Sequence, residues 1–113
     1  MPVVRFSAAA RGDVERYAEF MGQDSPDAAR RFLPAVRETA ERLLKFPASG
    51  RGVILSRLKV AGVRRVSVRG FPNHILVYRV AETSIDVLCV THSARDLPRV
   101  IGKALRDPEA EVF

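Results

Sequence analysis

The spacing of apolar residues changes from helical to alternating once along the chain, near its middle. Val3-Val4-Arg5-Phe6 is a short β-type opening. After it, Ala10, Val14, Tyr17 and Met21 recur at intervals of four, three and four, the stripe of an amphipathic helix, with Glu15, Arg16 and Glu19 on the other face. Either Ser7 caps this helix or Asp13 starts a later turn; Gly22-Gln23-Asp24 ends it. Ser25-Pro26-Asp27 then combines a hydroxyl cap, a proline at the first helical position and an acid near the positive end of the helix dipole. The second stripe runs through Ala29, Phe32 or Leu33, Val36, Ala40, and Leu43 or Leu44. Pro34 lies inside it and predicts a kink or an irregular stretch before residue 34, because an interior proline costs about 3 kcal/mol. Two helices joined by so few residues make an αα-hairpin.

Phe46-Pro47-Ala48-Ser49-Gly50 stops the second helix. Residues 51–62 are ambiguous: Val53-Ile54-Leu55 suits an extended segment, and Ala61-Gly62 reads as a turn. From Val63 onward the period is two, with Val66 and Val68 alternating with Arg65, Ser67 and Arg69. Gly70-Phe71-Pro72-Asn73 is a turn. The apolar runs His74 to Val80 and Ser84 to Thr91, separated by Ala81-Glu82-Thr83, predict a hairpin of central strands covered by the helices. Asp96 is placed to cap a short helix with Leu97, Ile101 and Leu105 aligned, which Gly102 weakens by about 1 kcal/mol; the polar tail from Asp107 is expected to fray. The expectation is one α+β domain over 1–113: a strand, a helical hairpin, a three-stranded antiparallel meander and a short C-terminal helix.

Composition adds compartment and charge. A chain of 113 residues with 47% hydrophobic and 28% charged residues is an ordinary globular sequence. Its longest apolar run, Ile75-Leu76-Val77-Tyr78, falls far short of the ~20 residues of a membrane span, and the N-terminus lacks the apolar core of a secretory signal. No membrane association and a cytoplasmic location are therefore expected. The single Cys89, within Val87-Leu88-Cys89-Val90, agrees with a reducing compartment and reads as buried packing. The net charge of +6 is unevenly distributed: within 51–80, Arg51, Arg57, Lys59, Arg64, Arg65, Arg69 and Arg79 face no acid in sequence. Such a stretch is either a solvated sheet face or a surface for nucleic acid or an acidic protein.

There is no glycine-rich phosphate loop, no Cys/His set at zinc spacing and no HExxH or GxSxG motif. A metal site and a cofactor are not expected. His92, followed at three and four residues by Arg95 and Asp96, is the one candidate acid or base, with Arg95 able to steady a phosphate. With Arg65 and Arg79 from neighbouring strands it could polarise an RNA phosphodiester; equally, His92 and Arg95 could only fix the strand-to-helix turn. Tyr78 reads as core and His74 as an exposed turn residue.

In this order the segments resemble the ParE/RelE toxin superfamily. They are the Phe6-Ser7 to Tyr17 opening; Pro47-Ala48-Ser49-Gly50-Arg51; Val63-Arg64-Arg65-Val66; Gly70-Phe71-Pro72-Asn73 leading to Tyr78-Arg79; and a strand closing on His92-Ser93-Ala94-Arg95-Asp96. Asn73 stands where the family has an aromatic residue. The resemblance spans roughly residues 4–96 and implies a type II toxin held by a cognate antitoxin, whose disordered acidic arm folds onto a basic groove. It also implies a target: DNA gyrase for ParE-type members, or the ribosome and its mRNA for RelE-type ribonucleases. With only Lys45, Lys59 and Lys103 and no tyrosine after the last strand, the sequence leans towards the non-enzymatic ParE type. The partner- or target-binding residues are expected to be Arg51, Arg57, Arg64, Arg65, Arg69, Arg79, His92 and Arg95. The alternatives are a metal-free ribonuclease using Arg65, Arg79, His92 and Arg95, and a small nucleic-acid-binding module.

Overall fold

Two serine caps set the helical hairpin. In the computed structural model, which describes residues 2–55 and 58–106 and leaves aside the side chains of 54–61, helix α1 (Ala8–Gly22) begins at Ser7, whose Oγ accepts from Ala10 N at 3.0 Å. Of the two readings of the start, the Ser7 cap is the one found, and Asp13 lies inside the helix. Helix α2 (Pro26–Lys45) starts at Ser25, whose Oγ accepts from Ala28 N at 3.1 Å. Helix α2 runs through Pro34 without interruption, so the alternative of an irregular stretch before residue 34 is not found. Pro34 and Arg30, whose carbonyl loses its partner four residues on, are both exposed, so solvent can satisfy the free acceptor.

Five strands form one sheet in the order β1-β5-β4-β3-β2. They are β1 (Val3–Phe6), β2 (Arg51–Leu55), β3 (Leu58–Val68), β4 (Phe71–Val80) and β5 (Ser84–His92). β2 to β5 are an antiparallel meander, and β1 returns to lie parallel to β5. The fold class is the α+β one expected, with one more meander strand. β3 starts at Leu58 rather than Val63, and the presumed Ala61-Gly62 turn lies within it. Gly62 has φ +74°, a backbone only glycine takes readily, so the strand passes through a position that reads as a turn in sequence. Arg57, Ser56 and the tail from Asp107 lie outside the described residues.

The sheet is covered on both faces. α1 and α2 bury Ala10, Val14, Phe32, Val36, Ala40 and Leu43 against Val68, Leu76, Tyr78, Ile85, Val87 and Val90. On the other face α3 (Leu97–Arg106), capped by Asp96 through Arg99 N at 3.3 Å, packs Ile101 against Val53, Val63, Ile75, Val77 and Cys89.

Tyr78 ties the helical hairpin to the sheet. Fully buried, its hydroxyl donates to Pro47 O at 2.8 Å and accepts from Gly50 N at 3.0 Å, so one side chain satisfies both ends of the Pro47–Gly50 turn. Position 50 must be glycine, because a Cβ there would stand 2.6 Å from the Tyr78 hydroxyl and 2.8 Å from Arg65 O. Thr39 acts similarly at the other end of β3, donating to Ala35 O at 2.7 Å and accepting from Arg69 N at 2.9 Å. Tyr78→Phe should destabilise the chain by about 1–3 kcal/mol in urea unfolding, since it strands two backbone groups. Gly50→Ala should cost more than Tyr78→Phe, and the combination should cost less than the sum of the two. Additive losses would mean that the hydroxyl and the glycine do not share one constraint.

Candidate partner-binding cleft

β1 is only four residues long and pairs with β5 from Ser84 to Val87, so the second half of β5 has no strand on its β1 side. An unpaired strand edge exposes donors and acceptors that need partners. The Ser7 cap and side chains of α1 supply them. Ser7 N donates to Val87 O at 3.0 Å and Ser7 Oγ to Leu88 O at 2.9 Å. Further along, Val90 N donates to Asp13 Oδ2 at 3.0 Å and His92 N to the Tyr17 hydroxyl at 3.0 Å. The Tyr17 hydroxyl also lies 3.4 Å from Thr91 Oγ1.

Between α1, the end of β5 and α3 opens a cleft of about 1000 Å³. Its apolar walls include Phe20, Met21, Val100 and Ala104, and Arg16, Arg95 and Lys103 give it a cationic rim. Phe20 is 66% exposed, the largest exposure among the big apolar side chains of the described residues. Asp13 sits at the floor, ion-paired with Arg16. Burial raises its pKa above the ordinary 3.8, against the opposing pull of the Val90 amide and the Arg16 and Arg95 charges. Cys89, beneath the same floor, is pushed up to about 12 by burial and then by the Asp13 charge, which makes it an inert packing residue as expected.

His74 is not an exposed turn residue. It lies in β4 directly opposite His92, half-buried among rings: Tyr17 at 5.1 Å, Phe32 at 5.0 Å, Phe71 at 6.3 Å and His92 at 5.1 Å between centroids. Burial, and secondarily the neighbouring His92, lowers its pKa below the ordinary 6.5. His92 is committed to the turn, its Nδ1 accepting from Ala94 N at 2.9 Å and its carbonyl from Arg95 N at 3.0 Å.

The expected site residues fall into separate groups. His92 and Arg95 line the cleft. Arg51, Arg65 and Arg79 share the sheet face that carries α3, judged from their register with one another, Val63 and Val77. Arg64 points to the other face, where its Nη1 donates to Gly50 O at 2.8 Å and braces the Pro47–Gly50 turn. Arg69 sits at the β3–β4 turn, 3.7 Å from Glu38. Arg57 lies outside the described residues. Arg79 pairs with Asp86 and His74 with His92, six residues further along β5 and on the opposite face, so Arg79 and His92 are separated by roughly 20 Å of strand. The side chains that sequence reasoning missed are Asp13, Tyr17 and His74. Asp13 and Tyr17 stand one helical turn apart, Tyr17 within the apolar stripe and Asp13 at its border, which is the one signal available in sequence.

With this geometry in place, known proteins supply the family. The model for the ParE toxin of the type II toxin-antitoxin system parDE matches residues 4–97, and the chain belongs to that family. A Sinorhizobium fredii protein named as a toxin, Y4kP, is 26% identical over 98 residues, covering 87% of this chain and 95% of its own. Toxin RelE2 of Caulobacter vibrioides is 29% identical over 86 residues, covering 76% and 89%. The fold matches a structure from the chromosomal ParDE system of P. aeruginosa with a TM-score of 0.64 at 18% identity, over 81% of this chain and 95% of that one. No helix among the described residues is long and apolar enough to cross a membrane.

Two pH effects of opposite sign follow. The folded chain holds the Asp13 proton more tightly than the unfolded chain, so the Asp13 contribution favours folding at low pH and fades as pH rises from 3.8 through the raised pKa. Asp13→Asn should remove that slope from thermal unfolding measured across the acid range. For His74 the folded chain holds the proton less tightly, so stability present above pH 6.5 falls as pH drops below it. His74→Phe should flatten this second slope while keeping the ring contacts; an unchanged profile would remove His74 as its source.

Proposed function

We propose that the cleft receives the arm of the cognate antitoxin and that the freed toxin acts by poisoning DNA gyrase. The observation that carries the first part is the cleft's make-up: apolar walls with an exposed Phe20, rimmed by Arg16, Arg95 and Lys103. An arm with apolar anchors and acidic flanks complements both features, the anchors giving affinity and the charges register and speed. The gyrase assignment rests on membership of the ParE family together with the dispersal of the side chains that a ribonuclease would need. Arg79 on β4 and His92 on β5 lie at opposite ends of the β4–β5 pair and on opposite faces, and His92 Nδ1 is already occupied. General acid-base work needs its groups within hydrogen-bond reach of one phosphate.

Purified toxin should block gyrase supercoiling or trap cleaved DNA, and adding the antitoxin should reverse this; translated mRNA should stay uncut in a toeprinting assay. Gyrase turning over normally with toxin in excess, or specific mRNA cleavage, would contradict the assignment. Phe20→Asp should weaken antitoxin binding about 30-fold or more, as expected for losing an aromatic anchor, with little change in melting temperature because the ring is exposed. Unaltered affinity would exclude the cleft as the seat of the arm.

A further inference from the structure

The sheet face opposite the α1–α2 hairpin carries a second, unrelated surface. Arg51 and Arg65 are direct cross-strand partners on β2 and β3. Arg65 stands opposite Val77, and Arg79, two residues beyond Val77 on β4, is its diagonal neighbour at about 7–8 Å. Arg79 in turn faces Asp86, which also faces Arg5 on β1. Directly opposed residues share a face. The row Arg51–Arg65–Arg79–Arg5 therefore crosses the sheet from one edge to the other, beside α3. Arg5, Arg51 and Arg79 are exposed and Arg65 is half-buried. No ion pair or hydrogen bond among the described residues engages any of their guanidinium groups. The one acid in the row, Asp86, is half-buried and accepts from Ser84 Oγ at 2.7 Å.

We propose that this arginine row is a binding surface for the phosphodiester backbone of a nucleic acid, distinct from the antitoxin cleft. Four cations are set against one half-buried carboxylate, which leaves a strong positive field. Among the described residues nothing occupies these guanidinium forks, which suit bidentate contact to phosphate oxygens. The face also lacks what a tightly bound protein arm needs. Among the described residues, the exposed aromatic rings, Phe20 and Phe46, lie on α1 and just after α2, and of the exposed large apolar residues only Val3 at the outer end of β1 shares the face. A surface with charge and few apolar anchors suits a partner whose affinity comes from counterion release and is indifferent to sequence. The inference does not depend on gyrase being the target.

The test is fluorescence anisotropy of the full chain with a labelled 20-base-pair duplex and, in parallel, a single-stranded RNA of the same length, each titrated between 50 and 200 mM salt. Three phosphate contacts predict a slope of log affinity on log salt of about −2.7 for duplex DNA, a loss of roughly 40-fold over that range. Arg51→Gln/Arg65→Gln/Arg79→Gln should abolish most of that slope. Arg30→Gln/Arg31→Gln/Arg37→Gln, which removes the same charge from the exposed side of α2, should leave it nearly intact. The same dependence with RNA also supports backbone recognition, and the ratio of affinities then identifies the nucleic acid. Equal weakening by both triple variants, no binding at 50 mM salt, or loss of antitoxin binding instead of nucleic-acid binding in the sheet-face variant would each overturn the proposal.

Discussion

The structure turns on a mismatch of strand lengths. β1 covers four residues of a nine-residue neighbour, and the uncovered half of β5 has to find hydrogen-bond partners elsewhere. α1 runs close enough for Ser7, Asp13 and Tyr17 to supply them, so a helix does with side chains what a longer β1 would do with backbone. Because side chains bridge a wider gap than a strand pair does, α1 stays at a distance from the β5 edge. The space left between α1, β5 and α3 is the cleft. Asp13 meets a cost in this arrangement: its carboxylate is held in partial burial, which is why its proton affinity rises even with Arg16 and an amide beside it.

The same architecture separates the basic residues in space. A meander gives alternate residues to opposite faces, so Arg64 and Arg65, adjacent in sequence, serve different ends. Arg64 is consumed by the Pro47–Gly50 turn that Tyr78 also holds, and Arg65 joins the free row on the far face. His92, the last residue of β5, and Arg95, just beyond it, belong to the cleft. The two surfaces thus differ in chemistry, one apolar with a charged rim and one, among the described residues, almost wholly cationic.

Much of the fold was legible in the chain. Ser7, Ser25 and Pro26 are caps whose chemistry is local, and the stripes of α1 and α2 are buried where their period puts them. The apolar runs of β4 and β5 are the central strands. The misreadings concern long-range register. Gly62 marks a left-handed position within a strand, which sequence cannot tell from a turn, so the pattern starts β3 at Val63 instead of Leu58 and leaves β2 ambiguous. His74 is enclosed because β4 places it opposite His92 and beneath Tyr17 and Phe32, three segments far apart in sequence. The basic stretch from 51 to 80 likewise reads as one patch, and only the strand pairing divides it.

Amide hydrogen exchange at Val90 tests the central claim most directly. If Asp13 stands in for the missing strand, Val90 N–H is protected in the free chain, and Asp13→Ala raises its exchange by at least an order of magnitude while the β5 amides that face β4 keep theirs. A Val90 amide that exchanges freely in the unmodified chain, or is unmoved by the substitution, would contradict the account.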